Sequence, residues 1–237
     1  MRHLKIHGAG ATQSLVNAVT RTFYGAEHNI DATFGPVGAV ADAIRERAET
    51  DIIILTKSVV SDLAAEGFVD GSSIVPLGTV RAGMAVREQD PDPLVANSSD
   101  LQATLLTADA VFLPDPVKST SGNHFMHVLG TLGIRDAIQP KLRLFNSGIS
   151  AMTAMAAAES HGVSIGFTQA SEIIDTQGIR LVGFLPGEFN LTTDYVAAVS
   201  TASERFPAAI AYLKYLSGTD AAHLRHQAGF VLPQQTA

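Results

Sequence analysis

Along the chain, segments with the apolar pattern of a strand are followed by segments in which apolar residues recur at the spacing of a helix. This pattern predicts that strands and helices alternate. Residues 4–9 form a short run of strand length, and the apolar residues within 12–23 recur at helical spacing. A helix is also predicted at residues 37–48. Residues 51–56 (DIIILT) are almost continuously apolar, which is typical of a strand covered on both faces. Repeated strand–helix units predict an α/β fold with a mostly parallel sheet.

The pattern changes at about the end of the first third of the chain. Residues 78–87 are strand-like, a polar and proline-rich loop follows at 89–93, and a second strand–helix series begins. Two α/β lobes joined by chain crossings near residues 79–82 and 188–193 fit the length of 237 residues better than one sheet. We therefore expect a discontinuous lobe I, residues 1–80 plus 190–237, and a lobe II, residues 81–189.

Composition narrows the classes of function. Apolar residues make up 46% of the chain, enough for a sizeable core. The net charge is −7 and no run of Lys or Arg is present, so we expect no nucleic-acid partner. The chain has no cysteine, which excludes disulfides and iron–sulfur clusters. No segment reaches the roughly 18 apolar residues of a membrane span.

The first ten residues, MRHLKIHGAG, lack the long apolar stretch of a secretory signal. They have the pattern of a strand that runs into a glycine turn. We expect a cytoplasmic protein if Met1 is the native start, and a periplasmic one if a leader has been removed.

Five short polar or glycine-containing loops lie between a predicted strand and the next helix. They are residues 8–13, 35–38, 118–123, 146–148 and 168–171. In α/β sheets such loops meet beyond the carboxyl ends of the strands, where helix N-termini offer free N–H groups. Together they predict a site for a small anion, although helix capping is the commonest use of these residue types. The candidates on these loops are Thr12, Gln13, Ser119, Ser121, Gly122, Ser147, Gly148 and Thr168.

Three charged residues are candidates for the chemistry. Arg81 lies at the predicted lobe crossing and Lys118 precedes a predicted helix, so either could pair with a ligand carboxylate or form a surface ion pair. Glu172 follows the fifth loop. It is a candidate acid or base if partly buried, or a carboxylate that stabilises the first turn of a helix.

Histidine pairs three residues apart, such as His124 and His127, have no obvious third metal ligand nearby. We therefore expect no metal and no cofactor.

Over nearly its full length the chain resembles the periplasmic molybdate-binding protein family. The similar segments are residues 34–40 (FGPVGAV), 50–56 (TDIIILT), 115–116 (DP), 121–122 (SG), 162–167 (GVSIGF), 212–217 (YLKYLS) and 229–230 (GF). The resemblance implies a type II periplasmic-binding-protein fold, with two α/β lobes joined by a two-stranded hinge and a ligand cleft between them.

The family's oxyanion-binding residues are only partly matched. Where the family has serines on the first two loops, this chain has Ala11 or Thr12 and then Val37 and Gly38. Phe167 stands where the family has a binding tyrosine. Hydrogen bonds to a charged group stabilise by about 1.5–3 kcal/mol each, so their loss predicts against molybdate, tungstate and sulfate.

Other segments are similar to a divergent branch of this family that includes aconitate isomerase. They are residues 81–87 (RAGMAVR), 91–93 (PDP), 171–173 (SEI) and 185–189 (LPGEF). This resemblance implies an organic di- or tricarboxylate ligand and allows an allylic proton shift. It makes Glu172 and His124 candidates for proton transfer. Carboxylates of the ligand would be held by Thr12, Arg81, Lys118 and Ser121.

Two functions stay open at this point. One is a receptor that binds a small anion and delivers it to an ABC permease, if the protein is exported. The other is a cytoplasmic isomerase or tautomerase of an unsaturated carboxylate. A third function, an intracellular ligand sensor or a nucleotide-binding domain, has little positive support. The main hypotheses share a small-molecule anion as the partner.

Overall fold

The computed structural model describes residues 3–24, 30–159 and 162–232, in which strands and helices alternate. In chain order the strands are β1 (Lys5–Ala9), β2 (Asp31–Gly35), β3 (Ile52–Thr56), β4 (Val75–Arg87), β5 (Ala110–Pro114), β6 (Leu142–Phe145), β7 (Ser164–Gln169), β8 (Ile179–Phe184) and β9 (Thr192–Val199). The helices are α1 (Gln13–Tyr24), α2 (Val37–Arg45), α3 (Lys57–Ala65), α4 (Ser98–Thr107), α5 (Thr120–Thr131), α6 (Arg135–Ile138), α7 (Gly148–Ala156), α8 (Ala170–Ile174), α9 (Phe206–Ser217) and α10 (Ala222–Gln227).

The chain divides into two compact α/β units. Unit 1 comprises residues 1–80 and 193–237, and unit 2 comprises residues 81–192. The chain therefore passes from one unit to the other twice, within β4 and within β9. Within the described part of the chain, the helices are too short or too polar to cross a membrane.

In unit 1 the strand order is β2-β1-β3-β9. Strand β1 is parallel to β2 and β3, and β9 runs antiparallel to β3. Every residue of β3 is buried, as its continuous apolar sequence predicts. The chain leaves β1, β2 and β3 at the same edge of the sheet, and α1, α2 and α3 follow there.

In unit 2 the main strand order is β4-β7-β5-β6, and β8 pairs with β4. Strand β5 is parallel to β6 and β7, so their carboxyl ends share one edge, where α5, α7 and α8 follow. Strand β4 runs antiparallel to β7, with Ala82 opposite Gln169. This register places Arg81 beside the carboxyl end of β7.

Helix α2 ends at Arg45, three residues before the predicted end at residue 48. Arg47 adopts a left-handed conformation with φ of 64°. Its N–H donates to the carbonyl of Ile44, and the N–H of Ala48 donates to Ala43. These two bonds close the helix in a Schellman motif, so the prediction of a longer helix was wrong.

A buried carboxylate joins three segments of unit 1. Asp51, which immediately precedes β3, is 2% exposed. It accepts hydrogen bonds from the backbone N–H of Lys5 at 2.9 Å, the hydroxyl of Ser203 at 2.7 Å and Nη1 of Arg205 at 3.0 Å. Asp51 thereby fixes the start of β1 and the segment after β9 against the start of β3.

We expect Asp51→Ala to lower the free energy of unfolding by about 3 kcal/mol, because it removes the buried carboxylate that pairs with Arg205 and accepts from Lys5 and Ser203. Urea unfolding of both proteins measures the change. Glu49→Ala is the control, since Glu49 pairs with Lys5 at the surface and its side chain is 72% exposed. Equal effects of the two substitutions would contradict a structural role for Asp51.

Candidate functional site

In unit 2, two serines cap helices at the sheet edge where the parallel strands have their carboxyl ends. The Oγ of Ser119 accepts the N–H of Gly122 at 3.3 Å, at the start of α5. The Oγ of Ser147 accepts the N–H of Ser150 at 3.1 Å, at the start of α7. Both residues therefore satisfy free helix N–H groups, the alternative use that the sequence left open.

A line of hydroxyl groups runs from the first cap into the interior of unit 2. The Oγ atoms of Ser119 and Ser121 are 3.2 Å apart, and Ser121 Oγ lies 3.4 Å from Thr168 Oγ1. Thr168 then donates to Oε2 of Glu172 at 2.5 Å. Ser121 and Thr168 are buried. The structure thus brings together four residues from two regions of the sequence, the loop at 118–123 and the segment 168–172.

The carboxyl group of Glu172 is enclosed by hydrogen-bond donors. Glu172 is 6% exposed. Besides Thr168, the backbone N–H groups of Gln169, Ile149 and Gly148 donate to it. Burial raises the pKa of Glu172, and these four hydrogen bonds oppose that rise. Its donors all come from unit 2, so Glu172 is placed to position α7, and the proton transfer expected from its sequence position stays a prediction.

Glycines let α5 and α7 approach the strand ends closely. A Cβ atom at Gly148 would overlap Oε2 of Glu172 and Oγ1 of Thr168. One at Gly122 would overlap the carbonyl oxygens of Pro114 and Asp115. Both glycines therefore serve the close packing of a helix start against neighbouring groups.

Arg81 is held in a fixed orientation by two neighbours. Its guanidinium lies over the ring of Phe184, 3.8 Å from the centroid, and its Nε donates to Oδ1 of Asn190 at 3.0 Å. Nη1 and Nη2 have no partner among the residues that the structure describes. A guanidinium fixed in this way offers two parallel donors, the geometry that a carboxylate accepts.

His124 is half-buried on α5. Its Nε2 lies 2.7 Å from the carbonyl oxygen of Phe189. A carbonyl only accepts, so Nε2 carries the proton and Nδ1 of the neutral ring keeps a lone pair. Asn190 follows Phe189 in the chain, so one short segment supports both His124 and Arg81.

Lys118 is exposed on the turn before α5. Oδ1 of Asp115 accepts the N–H groups of Val117 at 2.7 Å and Lys118 at 3.1 Å, which shapes this turn. The ammonium group of Lys118 has no ion-pair partner within the described ranges.

Phe167 and the loop that follows it differ from expectation. Phe167 is fully buried and stacks on Phe125 with ring centroids 4.6 Å apart, so it packs in the core, and its expected contact with a ligand stays a prediction. Residues 168–171 do not form a loop, because Thr168 and Gln169 end β7 and α8 begins at Ala170.

In unit 1 the candidates lie at helix starts. Ala11 and Thr12 are buried in a 3₁₀ turn, and the hydroxyl of Thr12 donates to the carbonyl of Ala9 at 2.8 Å. Thr12 therefore has an internal partner and is fully buried, and its expected role of holding a ligand carboxylate stays a prediction. Gln13 begins α1. Val37 and Gly38 begin α2, where the preceding residue offers no side-chain cap, as is also true of α3.

Sequence reasoning missed the residues that support the side chains of Arg81 and His124. Phe184 and Asn190 orient Arg81, and the carbonyl of Phe189 fixes His124. No local pattern marks them, since their role depends on the hydrogen bond between Ala82 and Leu191 that brings this segment beside β4. In the described residues, no three His, Asp or Glu side chains form a metal-binding group.

We expect Gly148→Ala to lower the free energy of unfolding by about 2 kcal/mol or more, because the added methyl group displaces the carboxyl of Glu172. Gly130→Ala is the matched control, since Gly130 is also helical and a Cβ atom there meets nothing within 4 Å. The control should gain about 0.5–1 kcal/mol. Denaturant unfolding measures both, and a stable Gly148→Ala variant would contradict the close contact.

Comparison with known proteins gives matches over most of the chain. Aconitate isomerase from a Pseudomonas species is 29% identical over 193 residues, which cover 81% of this chain and 71% of that protein. The periplasmic molybdate-binding protein of Azotobacter vinelandii superposes with a TM-score of 0.80 at 20% identity, covering 98% of this chain and 100% of that one. The sulfate-binding protein SubI of Mycobacterium tuberculosis gives 0.73 at 16% identity, covering 99% and 88%.

These structures share the type II periplasmic-binding-protein fold, which confirms the fold expected from the sequence. The family described as bacterial extracellular solute-binding protein matches residues 4–231. Since this range includes both units, the match covers the described strands and helices almost completely. The chain belongs to this family of bacterial extracellular solute-binding proteins.

Proposed function

We propose that the protein binds a small organic di- or tricarboxylate and that Arg81 holds one carboxylate in unit 2. The observation that carries the proposal is the fixed guanidinium, with Nε on Asn190, its face on Phe184 and two Nη groups without a partner in the described part of the chain. Its orientation is set before binding, so little conformational entropy is lost when a carboxylate docks.

Further groups in each unit, taken separately, are suited to an anion. Lys118 adds a positive charge at the start of α5, whose first N–H groups lie at the same edge of the sheet as Thr168. In unit 1 the N-termini of α2 and α3 have no side-chain caps, so their N–H groups are available to an anion. Among the similar proteins, two are named for binding molybdate and sulfate and one for acting on aconitate.

An organic carboxylate fits these residues better than an inorganic oxyanion. The hydroxyl of Thr12 already donates to Ala9, and Phe167 has no hydroxyl and lies in the core. A buried inorganic oxyanion needs many donors, whereas a carboxylate is satisfied by one arginine fork and a few N–H groups.

We propose that the protein acts as a receptor outside the cytoplasmic membrane and passes its ligand to an ABC permease. Membership of the extracellular solute-binding family supports this role. The net charge of −7 is compatible with a partner that presents basic residues.

A second candidate is an isomerase of an unsaturated carboxylate, supported by the aconitate isomerase relative and by Nδ1 of His124, which has no partner among the described residues. In this reaction Nδ1 removes a proton from the carbon beside a ligand carboxylate and the double bond shifts by one position. The imidazolium then returns the proton at the far end of the allyl system. Arg81 would stabilise the negative charge that develops on the carboxylate.

We expect Arg81→Met to raise the Kd of citrate or trans-aconitate by about 10–100-fold, through the loss of two charge-assisted hydrogen bonds. Isothermal titration calorimetry of the full chain measures it. Arg180→Met is the control, because that guanidinium is already paired with Asp92. Equal affinities of wild type and Arg81→Met would sink the assignment of Arg81.

Incubation of the wild type with the bound carboxylate in D₂O separates the two candidates. Deuterium uptake or conversion in proton NMR, abolished by His124→Ala while binding persists, would establish the isomerase. Binding without exchange would establish the receptor.

A further inference from the structure

The first turn of α7 is saturated by groups of the protein itself. The first N–H groups of a helix have no partner within the helix and attract anions. Here Glu172 accepts the N–H groups of Gly148 and Ile149, and Ser147 accepts that of Ser150. The carboxyl group of Glu172 therefore stands where an anion would bind the start of α7.

The fit between Glu172 and α7 is close enough to exclude another occupant. Gly148 lacks a Cβ atom, and the space that such an atom would take is filled by the Glu172 carboxyl and the Thr168 hydroxyl. Glu172 is 6% exposed, so its carboxyl group cannot be displaced without breaking four hydrogen bonds. An external oxyanion that displaced the carboxyl group would have to replace all four hydrogen bonds.

The start of α5 differs from that of α7. Ser119 accepts the N–H of Gly122, at 3.3 Å, and no carboxyl group of the described residues covers the N–H groups of Thr120 and Ser121. A ligand carboxylate thus has donors at Arg81 and at the start of α5, but none at the start of α7.

We propose that Glu172 is a specificity-determining residue whose carboxyl group fills the anion position at the start of α7, so that unit 2 rejects inorganic oxyanions and accepts organic carboxylates elsewhere on its edge. The part about organic carboxylates rests on the proposed function. The internal occupancy of α7 stands on the contacts of Glu172 alone.

Removal of the carboxyl group should open this position. We expect Glu172→Ala to bind sulfate or molybdate at least about tenfold more tightly than the wild type in calorimetric titrations of the full chain. Glu172→Gln is the matched control, because its amide oxygen still accepts α7 N–H groups and its NH₂ can donate to Thr168. No gain in Glu172→Ala, or an equal gain in Glu172→Gln, would overturn the proposal.

Thermal unfolding gives an independent test if Glu172→Ala is unstable. Formate at about 100 mM should raise the Tm of Glu172→Ala by about 2–4 °C more than that of wild type or Glu172→Gln, because formate replaces the missing carboxyl group. Sodium chloride at the same ionic strength controls for screening. If the variant does not fold, refolding should recover in formate and not in chloride. Equal effects of formate on all three proteins would contradict the proposal.

The two proposals fail in different ways. A wild type that binds no citrate or aconitate contradicts the proposed function and leaves the anion gain of Glu172→Ala to be measured by itself. A wild type that binds sulfate or molybdate as tightly as Glu172→Ala contradicts the role of Glu172.

Discussion

Glu172 accepts hydrogen bonds from the backbone N–H groups at the start of α7, and these bonds constrain the candidate site of unit 2. They tie α7, the end of β7 and the start of α8 together through one buried carboxyl group. Through Thr168 and Ser121 the same group is connected to the cap of α5. Three helix starts are therefore held in one arrangement, and the polar edge of the sheet is fixed before any ligand binds. Such preorganisation lowers the entropic cost of binding.

The contacts of Glu172 also help to distinguish polar groups that have partners within the protein from polar groups that are available to a ligand. Ser119 and Ser147 cap helices and Glu172 fills the start of α7, so these polar groups are largely satisfied internally. Among the candidate residues, the groups without a partner in the described part of the chain are the terminal nitrogens of Arg81 and the ammonium of Lys118, together with Nδ1 of His124. Two positive charges and one imidazole nitrogen are a suitable set for a carboxylate. Membership of the family indicates that the protein binds a solute, and the charges of these residues suit an anionic one.

Much of the fold could be predicted from the sequence, because hydrophobic periodicity is a local signal. The apolar run of β3 and the serines before α5 and α7 correspond directly to a buried strand and two caps. The end of α2 was predicted too late, since Arg47 takes a left-handed conformation that usually needs glycine. The packing of Phe167 and the roles of Asn190 and Phe184 could not be predicted from local periodicity. They depend on contacts between segments that are distant in the chain.

The central claim is that the ligand is an organic carboxylate, and calorimetric titration of the full chain tests it most directly. Citrate and trans-aconitate should bind saturably with one site, while sulfate and molybdate at the same concentrations should give no saturable heat. Tight binding of sulfate or molybdate together with no binding of either carboxylate would contradict the account.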